Sequence, residues 1–112
     1  MRQMQVNISP ATIIADRDQV VTVTASDLFL EEAIPAGYVF VNGARVGALG
    51  QPIVQRVNSV LNPKACKWVR DDNGRQRREC EPAYRSAKPL IIEVRRTNYE
   101  SRSAALPVIV PD

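Results

Sequence analysis

The sequence predicts an all-β protein, a single domain of about seven to nine short antiparallel strands packed as a sandwich. Three observations predict it. Segments in which apolar and polar residues alternate with a period of two recur along the whole chain. Turn signals made of Gly, Pro, Asn and Asp separate them. No apolar pattern with the 3.6-residue period of a helix is sustained. The length of 112 residues suits one domain, and 45% hydrophobic with 24% charged residues is an ordinary globular balance.

Met4, Val6 and Ile8 alternate with polar neighbours and make the first strand. Ser9-Pro10 interrupts it, and Thr12-Ile13-Ile14 resumes it with a new partner. Asp16-Arg17-Asp18 is a polar turn. Val21, Val23 and Ala25 alternate with Thr22 and Thr24 in the clearest period-two run. Residues 27–36 are less regular and read as one helical turn or a loop over a sheet edge. Val39-Phe40-Val41-Asn42-Gly43-Ala44-Arg45-Val46 is a hairpin, because Asn-Gly supplies the two positive φ angles of a type I′ turn. Counting outward pairs Val39 with Val46 and puts Val39, Val41, Ala44 and Val46 on the core face. Gly47, Gly50 and Pro52 mark a turn, and residues 53–61 read as one strand. Leu90, Ile92 and Val94 form another, Thr97-Asn98 a turn before Tyr99, and residues 104–110 the last strand.

Between these lies a long basic hairpin, at about residues 64–82, that carries both cysteines. A two-residue Asn73-Gly74 loop would leave the thiols out of line. A three-residue loop, Asp72-Asn73-Gly74, with the glycine in the left-handed region, places Asp71 opposite Arg75, Lys67 opposite Glu79, Trp68 opposite Arg78 and Cys66 opposite Cys80. This register sets opposite charges across the strands, offers Trp68 a cation–π partner in Arg78, and predicts a Cys66–Cys80 disulfide at a non-hydrogen-bonded site. A disulfide in turn implies an extracellular, periplasmic or cell-surface location.

Much chemistry is excluded. The chain has no histidine, so a Ser-His-Asp or Cys-His site is absent, and neither phosphate-binding glycine loop occurs. Asp16-x-Asp18 could offer calcium a few oxygens, but the regular ligand run of a calcium loop is missing and the pair reads as a solvated turn. No catalytic residue, metal site or cofactor is expected. No apolar stretch approaches the roughly 20 residues of a membrane span, and insertion into a membrane is not expected. The basic hairpin reads either as charged protection of an exposed strand edge against pairing with other chains, or as a binding surface, Trp68, Arg70, Arg75, Arg77 and Arg78, for an anionic partner. Its scarcity of aromatics argues against nucleic acid.

Val6-x-Ile8-Ser9-Pro10-Ala11-Thr12-Ile13, the Asp16 turn and Val21-Thr22-Val23-Thr24-Ala25 resemble the first two strands of bacterial immunoglobulin-like domains of cell-surface and secreted proteins. Val39-Phe40-Val41-Asn42-Gly43 resembles their middle strand and turn, and the closing Ile91-x-x-Val94 strand with Tyr99 is also similar. The resemblance skips residues 60–88, where the hairpin looks like an insertion. It implies an immunoglobulin-like sandwich. Such a module is non-catalytic and serves protein–protein interaction, adhesion or spacing, with carbohydrate binding as the alternative. A strand pattern that begins almost at once, with no apolar signal region before it, suggests a domain cut from a longer exported protein, with that protein's neighbouring domains as partners, or else a small intact cytosolic protein.

Overall fold

The computed structural model describes residues 1–111. It is all-β, with thirteen strand segments among the described residues. The excess over the expected seven to nine comes mainly from prolines. Pro10, Pro63, Pro82 and Pro107 each lack the N–H a ladder needs and split a longer run into shorter pieces.

β1 (Met4–Ser9) pairs with β3 (Gln19–Asp27), and β3 pairs with β6 (Ile53–Gln55), giving a three-stranded antiparallel sheet. β12 (Arg102–Leu106), β11 (Leu90–Arg95), β4 (Tyr38–Val41) and β5 (Ala44–Ala48) form a four-stranded antiparallel sheet in that order. After Pro10 the chain changes partner, as expected: β2 (Ile13–Ile14) runs parallel to β13 (Val108–Ile109). The expected last strand, residues 104–110, is split at Pro107. Its first part pairs with β11 and its second with β2.

The inward faces of both sheets share one core. Val21 and Val23 from one sheet and Val39, Ile92 and Val94 from the other are almost fully buried. The alternation along β3 and β11 that the sequence displays is the alternation of buried and exposed positions.

The β4–β5 hairpin has the expected turn, with φ of 49° at Asn42 and 87° at Gly43. Val41 pairs with Ala44 and Phe40 with Arg45, but a bulge then shifts the register, and Val39 faces Gly47. Ala44 and Val46 are exposed rather than core residues. Gly47 is a strand residue, not a turn residue. A Cβ there would lie 3.0 Å from both Cγ1 and Cδ1 of Ile53. Inserting Val46 as the extra residue sets the glycine, rather than a valine, against that packed side chain.

Residues 28–33 form a turn and loop, not a helix. Asp27 organises them. One carboxylate oxygen accepts the N–H groups of Phe29 (3.0 Å) and Leu30 (2.9 Å), and the other accepts the hydroxyl of Tyr99 (2.9 Å). The carboxyl is buried and held below the ordinary aspartate value, first by the Leu30 N–H and then by Tyr99.

Candidate functional site, a projecting arm

Residues 53–61 do not form one strand. β6 ends at Gln55, and β7 (Val60–Asn62) belongs to a different structure. It pairs with β10 (Tyr84–Ser86), while β8 (Ala65–Arg70) pairs with β9 (Gln76–Glu81). Both pairs keep the same register: Asn62 faces Tyr84, and four residues further on Cys66 faces Cys80. Pro63 and Pro82 interrupt the ladder between them without shifting it. The hairpin expected at residues 64–82 is therefore the outer part of a longer two-stranded arm running from Val60 to Ser86.

From Val60 to Asp71 the arm is about 40 Å long at the usual strand rise. The molecule measures 65 × 29 × 20 Å, and its radius of gyration is 20.5 Å, against about 13 Å for a compact chain of this length. The arm thus stands away from the body. Almost every residue of β7 to β10 is exposed.

Its tip has the three-residue loop read from the sequence. Gly74 takes a φ of 77°, its N–H donates to the Asp71 carbonyl (3.0 Å), and the Asp71 N–H donates to the Arg75 carbonyl (2.9 Å). Asp71 does not form the expected ion pair with Arg75. Its carboxylate instead accepts the backbone N–H groups of Asn73 (3.0 Å) and Arg75 (2.9 Å), closing the turn. Cys66 and Cys80 form the expected disulfide, with Cα atoms 4.0 Å apart. Two further side-chain expectations fail. Glu79 pairs with Arg77 (2.7 Å) on its own strand rather than with Lys67. The cation–π contacts among the described residues involve Tyr99, Tyr38 and Phe40, and Trp68 makes none.

The base of the arm is fastened by residues the sequence did not single out as a unit. Asp16 adopts a φ of 67°. Its N–H donates to the Val57 carbonyl (2.8 Å), and its carboxylate accepts the N–H (2.8 Å) and hydroxyl (2.6 Å) of Ser59. Arg85, from the returning strand, donates to the same Ser59 hydroxyl (3.1 Å). The Ser59 hydroxyl and then its N–H hold the Asp16 carboxyl below its ordinary value. Asp16 is thus a clasp rather than a merely solvated turn. Asp16 and Ser59 lie 43 residues apart in sequence, and no local pattern signals the contact.

The arm carries seven Lys and Arg against four Asp and Glu. This accounts for the whole formal charge of +3, and the body is balanced at eight of each. The five residues expected to form one binding surface do not share a face. Alternation along the paired strands puts Trp68, Arg70 and Arg78 on the face of the disulfide, and Arg77 on the other, in line with Arg75. Of the four acids, Asp71, Glu79 and Glu81 fall on the Arg77 face, and Asp72 lies in the turn at the tip, outside the paired strands. The disulfide face holds cations and Trp68, which is 70% exposed, and no acid.

Comparison with family models, with curated proteins and with solved structures finds no match to this chain. A concavity of about 430 Å³ lies on the body beside Gly37, Tyr38, Arg95 and Tyr99, and no carboxylate or thiol lines it. No group of three or more acidic, cysteine or histidine residues is gathered for a metal among the described residues. No helix of the described residues is long and apolar enough to cross a membrane.

Proposed function

We propose that this chain is a non-catalytic immunoglobulin-like sandwich module of an exported bacterial protein, and that the arm is its recognition element for a protein or cell-surface partner. The sheet orders support the fold: β1-β3-β6 against β12-β11-β4-β5, with β2 parallel to β13, correspond to strands A-B-E against G-F-C with an added C′ strand. The disulfide supports maturation in an oxidising compartment. The two carboxylates with shifted acidity, Asp16 and Asp27, are held ionised by structural hydrogen bonds. Groups so engaged are poorly suited to proton transfer near neutral pH.

The observation that carries the proposal is the arm's isolation. A two-stranded ribbon with no core beneath it is marginal in water. Here a turn, a base clasp and a disulfide hold one in shape, with its large side chains exposed. A stiff element of this kind loses less entropy on binding than a flexible loop does.

A photo-cross-linking amino acid placed at Trp68, with Thr24 on the body as the control position, tests the proposal in the producing cell. Expected is a discrete cross-linked partner from position 68 alone, lost when Arg75, Arg77 and Arg78 are all changed to Glu. Equal cross-linking from both positions, or none from position 68, overturns the recognition role.

A further inference from the structure

Each outer strand of the arm has a partner on one side only, since β8 and β9 make a sheet of two among the described residues. The Asp71–Arg75 backbone bond fixes which backbone groups look inward. Counting back from it, Val69:Arg77 and Lys67:Glu79 are hydrogen-bonded pairs, whereas Arg70:Gln76, Trp68:Arg78 and Cys66:Cys80 are not. The N–H and C=O groups of Cys66, Trp68 and Arg70 therefore point outward from β8. Those of Gln76, Arg78 and Cys80 point outward from β9. The side chains of these residues all lie on the acid-free face.

The two edges differ in charge. β8 contains Lys67 and Arg70 and no acid, with Lys64 just before it, whereas β9 balances Arg77 and Arg78 with Glu79 and Glu81. We propose that the outer edge of β8 is the docking edge of the arm and takes an extended, acidic segment of a partner protein as an added third strand. The inference rests on the arm being the recognition element and names the edge and the chemistry it selects.

Strand addition draws affinity from main-chain hydrogen bonds and specificity from alternate side chains. On an incoming strand, the side chains on the disulfide face would lie beside Trp68 and Arg70, where acidic groups meet cations and an exposed indole. Those on the other face would lie beside Lys67 and Val69. Lys67 and Arg70 also repel a second β8 edge, so the charge that admits an acidic strand discourages pairing between two copies.

Other partners fit less well. Trp68 and Tyr84, the large aromatics of this face, stand about 20 Å apart along the ribbon, too far to stack successive bases. Apolar side chains are divided between the faces, with Val60 and Trp68 on one and Leu61 and Val69 on the other. Neither face is the continuous apolar stripe that lies in a lipid interface.

The test uses the full chain and a fluorescent peptide of alternating valine and glutamate, about ten residues long. Binding is read by anisotropy and by backbone hydrogen exchange. Expected is protection of the amides of Cys66, Trp68 and Arg70 on peptide addition. Trp68→Pro removes an outward N–H without removing a ladder bond, and is expected to bind about fivefold more weakly than Trp68→Ala. Arg78→Pro, its counterpart on β9, is expected to match Arg78→Ala. Equal extra losses from both prolines, or protection at Gln76, Arg78 and Cys80 instead, overturn the edge assignment and leave the recognition role standing. Binding of oligothymidylate or anionic vesicles in preference to the peptide overturns the partner class. Absence of a cross-link from position 68 in the cell, with Arg75, Arg77 and Arg78 intact, is the separate failure of the recognition role. Where a proline variant disorders the arm, the exchange pattern of the wild-type protein decides alone.

Discussion

The Asp16 carboxylate takes both hydrogen-bond donors of Ser59, its N–H at 2.8 Å and its hydroxyl at 2.6 Å, and so ties the first turn of the body to the root of the arm. Arg85 closes the same knot from the returning strand. Asp16→Ala is expected to leave the sheets intact and to loosen the arm at its base. Faster exchange at the Ser59 amide, with unchanged protection at Val23 and Val94, is the expected signature. Unchanged exchange at Ser59 would show that the clasp holds nothing.

The acidities of Asp16 and Asp27 give a pH dependence with a definite sign. Both folded carboxyls lie below the ordinary value of 3.8. Each therefore contributes stability above that value and loses it as pH falls through the lower folded value. The urea midpoint is expected to be flat on these groups' account near neutrality and to drop below about pH 3.8. The Asp16→Asn/Asp27→Asn protein is expected to start lower and to fall less steeply. A parallel curve for that variant would contradict the assignment.

Body and arm are expected to differ sharply in sensitivity. Ile92 is 1% exposed in the shared core, and Ile92→Ala is expected to cost about 2–5 kcal/mol in chemical denaturation. Trp68→Ala, in contrast, is expected to change global stability by less than about 0.5 kcal/mol.

Reducing the disulfide probes the same division. Closing a loop of this size is worth about 3 kcal/mol in the chain-entropy account. Because the arm adds nothing to the core cluster, that loss should appear as local opening, on the order of 100-fold more frequent, in β8 and β9. The thermal transition of the body is expected to stay in place under dithiothreitol. A large fall in its midpoint would show that arm and body unfold as one.

Gly47→Ala tests the bulge. The new methyl would meet Ile53 at 3.0 Å, and overpacking of this kind costs roughly 1–3 kcal/mol. In an Ile53→Ala background the penalty is expected to shrink, which a double-mutant cycle measures directly.

The all-β class, the change of partner after Pro10, the Asn42-Gly43 turn and the arm's outer register down to the Cys66–Cys80 pair were all legible in the amino-acid sequence. These rest on short-range rules: period-two alternation, the lack of an N–H in proline, the positive φ of Asn and Gly, and counting outward from a turn. The rest depends on contacts between residues far apart in the chain. Val46 leaves the core because Ile53, from another sheet, requires a glycine opposite Val39. The arm begins at Val60 because residues 56–59 are drawn to Asp16. Trp68 and Arg78 face each other across the strands yet make no cation–π contact, since register fixes which residues are neighbours but not where long exposed side chains settle. The expected binding surface divides into two faces because alternation separates neighbours in sequence, and what remains is one cationic, acid-free face along an unpaired edge. Local pattern sets the strands and their registers, whereas contacts between residues far apart in the chain set where those strands end and what they touch.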